Sequence, residues 1–178
     1  RALNVSCNVT FGDLAGKIGQ DDLDEQAKKF GFGSDPLEGL AMSPSRFTTP
    51  GTELEAPQLA QSGIGQFEVA ATPLQMAMVG GAIANDGQVM RPYVVDTVRS
   101  PNLSVLERTQ PKELDEAMSS ENAAKLRQAL ISTVEQGTAT SAQIPGVDVG
   151  GKTGTAQSTT DRPPYAWFVS FAPADDPE

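Results

Sequence analysis

The sequence predicts an α/β chain of the α+β type, in which helices come first and an antiparallel pair of strands comes late. Three features carry this. A run starting at Ser119 or Ser120 places Leu126, Leu130, Ile131 and Val134 on one helical face and stops at Gly137. Thr72-Pro73-Leu74-Gln75 is a strong helix start: Thr72 can cap, Pro73 suits the first helical position and Gln75 can close a capping box. Near the end, residues 147–156 and 166–172 read as strands, with Trp167, Val169 and Phe171 alternating onto one face of the second. A polar loop containing proline joins them, so antiparallel pairing is the simplest arrangement.

In chain order, residues 9–19 predict a short helix. Asp21 is expected to cap a second one that runs to Phe30, with Gly31 as a left-handed stop. Residues 31–65 are rich in Gly, Pro, Ser and Thr without periodicity and predict a long excursion packed over a neighbour. The helix after Thr72 is expected to run through Met76, Val79, Ile83 and Ala84 and to stop at Asp86-Gly87. Gly80-Gly81 inside it costs about 1 kcal/mol per residue relative to Ala, which suggests close packing against another element. Residues 93–98 predict a strand, residues 99–118 a polar exposed stretch, and Gly150-Gly151 a break in the strand that contains them.

Composition narrows the function. With 178 residues, 38% hydrophobic and 20% charged, the chain can bury one domain core. No stretch approaches the ~18 consecutive apolar residues of a membrane span, and none of these residues is expected to act as a signal peptide. Net charge is −10 with no basic cluster, which argues against nucleic acid and anionic lipid as partners. The single cysteine, Cys7, cannot form an internal disulfide. The absence of histidine removes Ser-His-Asp and Cys-His catalysis and the common zinc sites. An enzyme built here must move protons with Lys, Ser, Tyr or carboxylates.

The most informative segment is Lys152-Thr153-Gly154-Thr155. Residues 146–153 satisfy G-x-x-x-x-G-K-[ST], a phosphate-cradling loop, but that motif needs a helix to begin at the lysine. Gly154, the Thr and Ser run and Pro163-Pro164 oppose a helix there. The rival is the Lys-Thr-Gly strand of penicillin-recognising serine enzymes, where an edge-strand lysine raises the local potential and orients hydroxyls. Gly154 would let a substrate backbone approach, and the strand edge could pair with an extended peptide. Thr153 and Thr155 are expected on opposite faces unless the strand is kinked. The bland alternative is a surface strand with an ordinary lysine.

The same enzymes carry Ser-x-Asn, which occurs here three times: Ser6-Cys7-Asn8, Ser100-Pro101-Asn102 and Ser120-Glu121-Asn122. Ser120 is a helix-cap candidate, and Ser100 sits in a polar turn where such residues are expected. Ser6 and Asn8, between apolar Leu3 and Val5 and a short helix, are the pair able to face a cleft, although Asn8 could instead cap that helix.

With these motifs in this order, the chain resembles the class B penicillin-binding protein transpeptidases. Further landmarks agree in register: Phe30-Gly-Phe-Gly33, Ser62-Gly-Ile-Gly-Gln66, Ala71-Thr-Pro-Leu-Gln-Met-Ala77, Ala84-Asn-Asp-Gly87, Arg91-Pro92, Val134-Glu-Gln-Gly-Thr-Ala139 and Trp167-Phe-Val-Ser-Phe-Ala-Pro173. The Ser-Cys-Asn variant and the acidity suggest an actinobacterial branch. The resemblance implies the penicillin-binding protein and serine β-lactamase-like fold: a five-stranded antiparallel sheet flanked by helices, with an all-helical subdomain. It implies a D,D-transpeptidase acting on peptidoglycan stem peptides ending in D-Ala-D-Ala and acylated by β-lactam antibiotics, membrane-anchored on the extracytoplasmic side, with division machinery as a further partner and no cofactor or metal. In those terms Ser6 relays a proton to the leaving amine, Asn8 holds the substrate amide and Lys152 supports Ser6. Thr153 and Thr155 bind the terminal carboxylate beside Gly154, and the Thr155 N–H is one oxyanion-hole donor.

The chain departs from the family in two respects, the nucleophile motif and the expected last strand and helix. No serine has a lysine three residues later, so the Ser-x-x-Lys nucleophile is missing. Ser43-Pro-Ser-Arg46 offers an arginine that stays protonated, and Thr109-Gln-Pro-Lys112 lacks the serine and comes too late. Residues 1–178 are therefore expected to be part of a transpeptidase domain, without the upstream nucleophile helix and the last strand and helix, held to the remaining N-terminal part of the polypeptide and inactive alone. A D,D-carboxypeptidase, a β-lactamase or a β-lactam sensor of the same fold stays open, since Glu53, Glu55 and Glu68 lie where a deacylating carboxylate could sit. So does a non-catalytic peptide-binding fragment.

Overall fold

The computed structural model describes residues 1–37, 40–157, 161–175 and 177. Its first part is helical. Helix α1 (Asn8–Ile18) and helix α2 (Gln20–Lys29) are joined by Gly19 alone, whose φ of 91° lets one residue end the first helix and open the second. Asp21 is therefore not the cap but lies, with Asp22, in the first turn of α2, where carboxylates favour the helix dipole. At the other end Gly31 adopts φ 92° as predicted; its N–H donates to Lys28 O and that of Phe32 to Ala27 O, the Schellman pattern.

Within residues 31–65 the structure adds helix α3 (Ala56–Ser62). Glu55 and Gln58 cap it reciprocally, a signal concealed because Glu is an unusual capping residue. Helix α3 lies against α1: Gly12 sits over Ala60, and a Cβ on Gly63 would overlap that of Ala15.

Helix α4 (Pro73–Ala84) starts where predicted, with the Thr72 hydroxyl accepting from the Gln75 N–H at 3.1 Å. The capping box does not close. Buried Gln75 donates its side-chain amide to Phe30 O at 2.7 Å, and the Thr72 N–H is served by the Ser45 hydroxyl instead. Strand β1 (Gln88–Met90) follows Gly87, and Met78, Ala82, Val89 and Ala117 form a core with Phe30, Leu74 and Leu114 against them. Of Gly80-Gly81 only Gly80 is packed, 3.1 Å from a Val169 methyl measured from the Cβ it lacks.

The stretch 93–118 differs from expectation. Strand β2 (Thr97–Arg99) is shorter than predicted, and the polar region forms β3 (Val105–Arg108) and β4 (Glu113–Glu116). β2 and β3 make a hairpin, while β4 returns to pair with β1. Helix α5 (Ser120–Gln136) is capped by Ser119 and buries Ala123, Leu130, Ile131, Thr133 and Val134, with Leu126 half-buried beside them. Arg127 ties it to the end of α4 through Ile83 O, Ala84 O and Asp86.

Strands β5 (Gly150–Ala156) and β6 (Tyr165–Phe171) pair antiparallel without a register shift. Gly150-Gly151 does not break β5. The glycines make room for phenyl rings, since a Cβ would lie 2.5 Å from Phe171 at the first position and 2.8 Å from Phe168 at the second. Among the described residues β5 and β6 pair only with each other, so the expected five-stranded sheet appears as this pair, separate from the two-stranded β1–β4 and β2–β3 sheets, with α4 against β6 and α5 against β5.

Two glycines should respond oppositely to alanine. At Gly87, with φ 95° and Met118 O 2.0 Å from an added Cβ, Gly87→Ala is expected to destabilise by about 2–3 kcal/mol. Gly81, exposed and with no atom within 4 Å, should gain about 0.5–1 kcal/mol. Urea unfolding midpoints moving in opposite directions would bear this out; equal shifts would contradict it.

Candidate active site

The site is assembled from both ends of the chain. Residues 1–7 form a tight turn, closed by the Ser6 N–H to Leu3 O at 3.1 Å and the Cys7 N–H to Ala2 O at 3.0 Å. Ser6 has φ 51°, a left-handed conformation that costs a non-glycine residue about 1 kcal/mol or more. The turn is held against α5: Asn4 donates its side-chain amide to Ser132 Oγ at 2.8 Å, and its carbonyl accepts from the Thr138 N–H at 3.0 Å. Asn8 is the first residue of α1 and is exposed, but it is not the cap, since Cys7 holds that position. Among the described residues the Asn8 side chain makes no hydrogen bond, which leaves its amide open to a ligand.

Across from this turn, Lys152 is the third residue of β5, and no helix begins there. That removes the phosphate-loop reading. Its ammonium donates to Ser6 Oγ at 2.9 Å and to Thr153 O at 2.7 Å. An ammonium has three N–H donors, so one remains. Partial burial disfavours its charged form and lowers its pKa below that of an ordinary lysine. No carboxylate among the described residues pairs with it to offset that.

Thr153 and Thr155 do not face opposite sides. Residues two apart in an unkinked strand share a face, and β5 pairs regularly throughout. The Thr153 hydroxyl lies 2.8 Å from that of Thr138, and exposed Gly154 stands between the two threonines with no side chain to obstruct an incoming backbone. The carbonyls of Gly151, Thr153 and Thr155 accept from Thr133 Oγ1, Lys152 Nζ and Gln66 Nε2 respectively, side chains lying off the sheet. Peptide groups at alternate positions point to the same edge, so these three turn away from β6, and the Thr155 N–H turns with them. Behind the strand pair is a mainly apolar cavity of about 900 Å³, bounded by Val79, Ile83, Trp167 and Val169 and reaching Lys152 and Gly154.

The other Ser-x-Asn triplets are structural. Ser100 and Asn102 bond each other and Ser104 within the β2–β3 turn, while Ser120 is the first residue of α5 and Ser119, not Ser120, caps it. Sequence reasoning gave no role to Asn4, Gln66, Thr133 or Thr138. Gln66 and Thr138 lie inside quoted landmarks, but only the folded chain shows that each reaches β5.

The chain as a whole has counterparts among known proteins. The chain is 40% identical to the peptidoglycan D,D-transpeptidase PbpA of Mycolicibacterium smegmatis over 97% of its length and 35% of that protein's. It is 37% identical to PbpA of Mycobacterium tuberculosis, with the same coverage. It superposes on the crystal structure of the M. tuberculosis protein with a TM-score of 0.89 at 35% identity, covering 99% of this chain and 42% of that one. The TM-score is 0.88, again at 35% identity, for that protein's penicillin G acyl-enzyme complex, over 99% of this chain and 40% of that one. The chain thus spans about a third of the length of these curated relatives. The family model for the penicillin-binding protein transpeptidase domain matches residues 1–178, and the chain belongs to that family.

Proposed function

We propose that these residues form the acyl-donor side of a serine D,D-transpeptidase that cross-links peptidoglycan stem peptides. The observation that carries the reading is the 2.9 Å contact between Lys152 Nζ and Ser6 Oγ, which joins the Lys-Thr-Gly and Ser-x-Asn motifs across 146 positions of sequence. The nucleophile is the serine of a Ser-x-x-Lys motif outside these residues. Its Oγ attacks the penultimate D-Ala carbonyl, an ester forms, and the peptide bond to the last D-Ala breaks as its nitrogen takes up a proton. An amine of a second stem peptide then attacks the ester, forming the cross-link and returning the proton to the serine.

In this scheme Ser6 passes the proton to the leaving nitrogen and the Lys152 ammonium holds the Ser6 oxygen in place. Asn8 offers its open amide to the substrate backbone. Thr153 and Thr155, sharing a face, take the terminal carboxylate, and the outward Thr155 N–H donates to the developing oxyanion. A β-lactam enters by the same path and stays as the acyl-enzyme. Peptidoglycan lies outside the cytoplasmic membrane, so in this reading the domain works on the extracytoplasmic side, with membrane anchoring of the full protein part of the proposal.

The test is labelling by a fluorescent penicillin of a polypeptide that contains residues 1–178 and the Ser-x-x-Lys serine. Ser6→Ala and Lys152→Ala are each expected to slow acylation by about 10²-fold or more. A change under about threefold in both would contradict the assignment.

The lysine also sets a pH dependence. Because burial lowers its pKa, the ammonium is lost as pH rises through a value below that of a free lysine. Acylation should fall along with it. Lys152→Arg, whose guanidinium keeps its proton, should be slower throughout but lack that fall on the alkaline side, below about pH 10. An identical fall in the variant would assign it to another group.

A further inference from the structure

We infer that Thr138 is a positioning residue that aims the Thr153 hydroxyl at the anionic end of the acyl donor; this rests on the reading of Thr153 as a carboxylate contact. The two hydroxyl oxygens are 2.8 Å apart, and neither has another hydrogen-bond partner among the described residues. Each hydroxyl carries one proton. If Thr153 gave its proton to Thr138, it would present only lone pairs to an anion. If Thr138 gives its proton to Thr153, the Thr153 proton is free to point into the cleft, and the two O–H groups act in series. An arriving carboxylate selects the second order, and each bond polarises the next.

The placement of Thr138 is fixed independently of that contact. Its N–H is held by Asn4 O at 3.0 Å, in the same turn that carries Ser6. Gly137 before it permits the approach, since a Cβ there would lie 2.6 Å from Asn4 O. Thr138 thus links the Ser6 turn to β5, and its hydroxyl restricts a threonine that would otherwise choose between side-chain rotamers.

The experiment compares acylation rates for penicillin G and for its methyl ester, which lacks the carboxylate charge, in the polypeptide containing the Ser-x-x-Lys serine. Thr138→Val keeps the shape and removes the hydroxyl. It should slow penicillin G about tenfold while changing the ester less than about twofold, and Thr138→Ser should restore the wild-type ratio. Equal slowing of both compounds by Thr138→Val, or no change in either, would overturn the inference. Thr153→Val separates it from the reading beneath. If that variant erases the preference for the acid while Thr138→Val does not, the role of Thr138 alone falls. If Thr153→Val leaves the preference intact, Thr153 is not the carboxylate contact and both fall.

Discussion

The last turn of α5 and the residues just after it set the distance on which the site depends. Asn4 is bonded to Ser132 and Thr138, which fixes the turn carrying Ser6. Thr133, fully buried, donates to Gly151 O, and Thr138 meets Thr153, which fixes the strand carrying Lys152. The ammonium and the hydroxyl meet because both backbones are tied to one rigid element. Holding a free lysine side chain in one rotamer would cost about 2 kcal/mol of entropy, and a single hydrogen bond near solvent contributes about 1 kcal/mol. The contact follows from the scaffold rather than creating it.

The same scaffold explains the peculiar composition of β5. Its glycines are where neighbours come closest: rings of Phe171 and Phe168 over Gly150 and Gly151, and the Trp167 Cβ 3.3 Å from the Cβ that Gly154 lacks. Its outward carbonyls are occupied by Thr133, Lys152 and Gln66, so this margin is already patterned for side chains and extended backbone. In a chain of net charge −10, the lysine here has no carboxylate partner among the described residues and is partly desolvated. Both conditions leave its positive potential available to an anionic ligand.

Much of this was legible in the sequence. Helices α4 and α5 carried their caps and apolar faces in plain view, and β5 and β6 followed from alternation and the loop between them. Lys152 stands out because its motif has few other uses, whereas Ser6 is separable from the decoys at Ser100 and Ser120 only by local context. What escaped notice depended on distant partners. Strands β1 and β4 are short and pair across 23 to 28 positions, so neither shows a pattern alone. Gln75 fitted a local capping box but found a better acceptor in Phe30 O, reachable only after folding. Thr138 and Gln66 are ordinary polar residues in local sequence, and their contacts lie in the tertiary structure.

The position of the nucleophile relative to Ser6 decides most directly whether this groove is the catalytic one. A crystal structure of a polypeptide comprising these residues and the Ser-x-x-Lys segment should place the Ser-x-x-Lys serine oxygen about 3 Å from Ser6 Oγ, in the groove between Ser6 and β5. That oxygen on another surface, with the Lys152 ammonium turned away from Ser6, would contradict it.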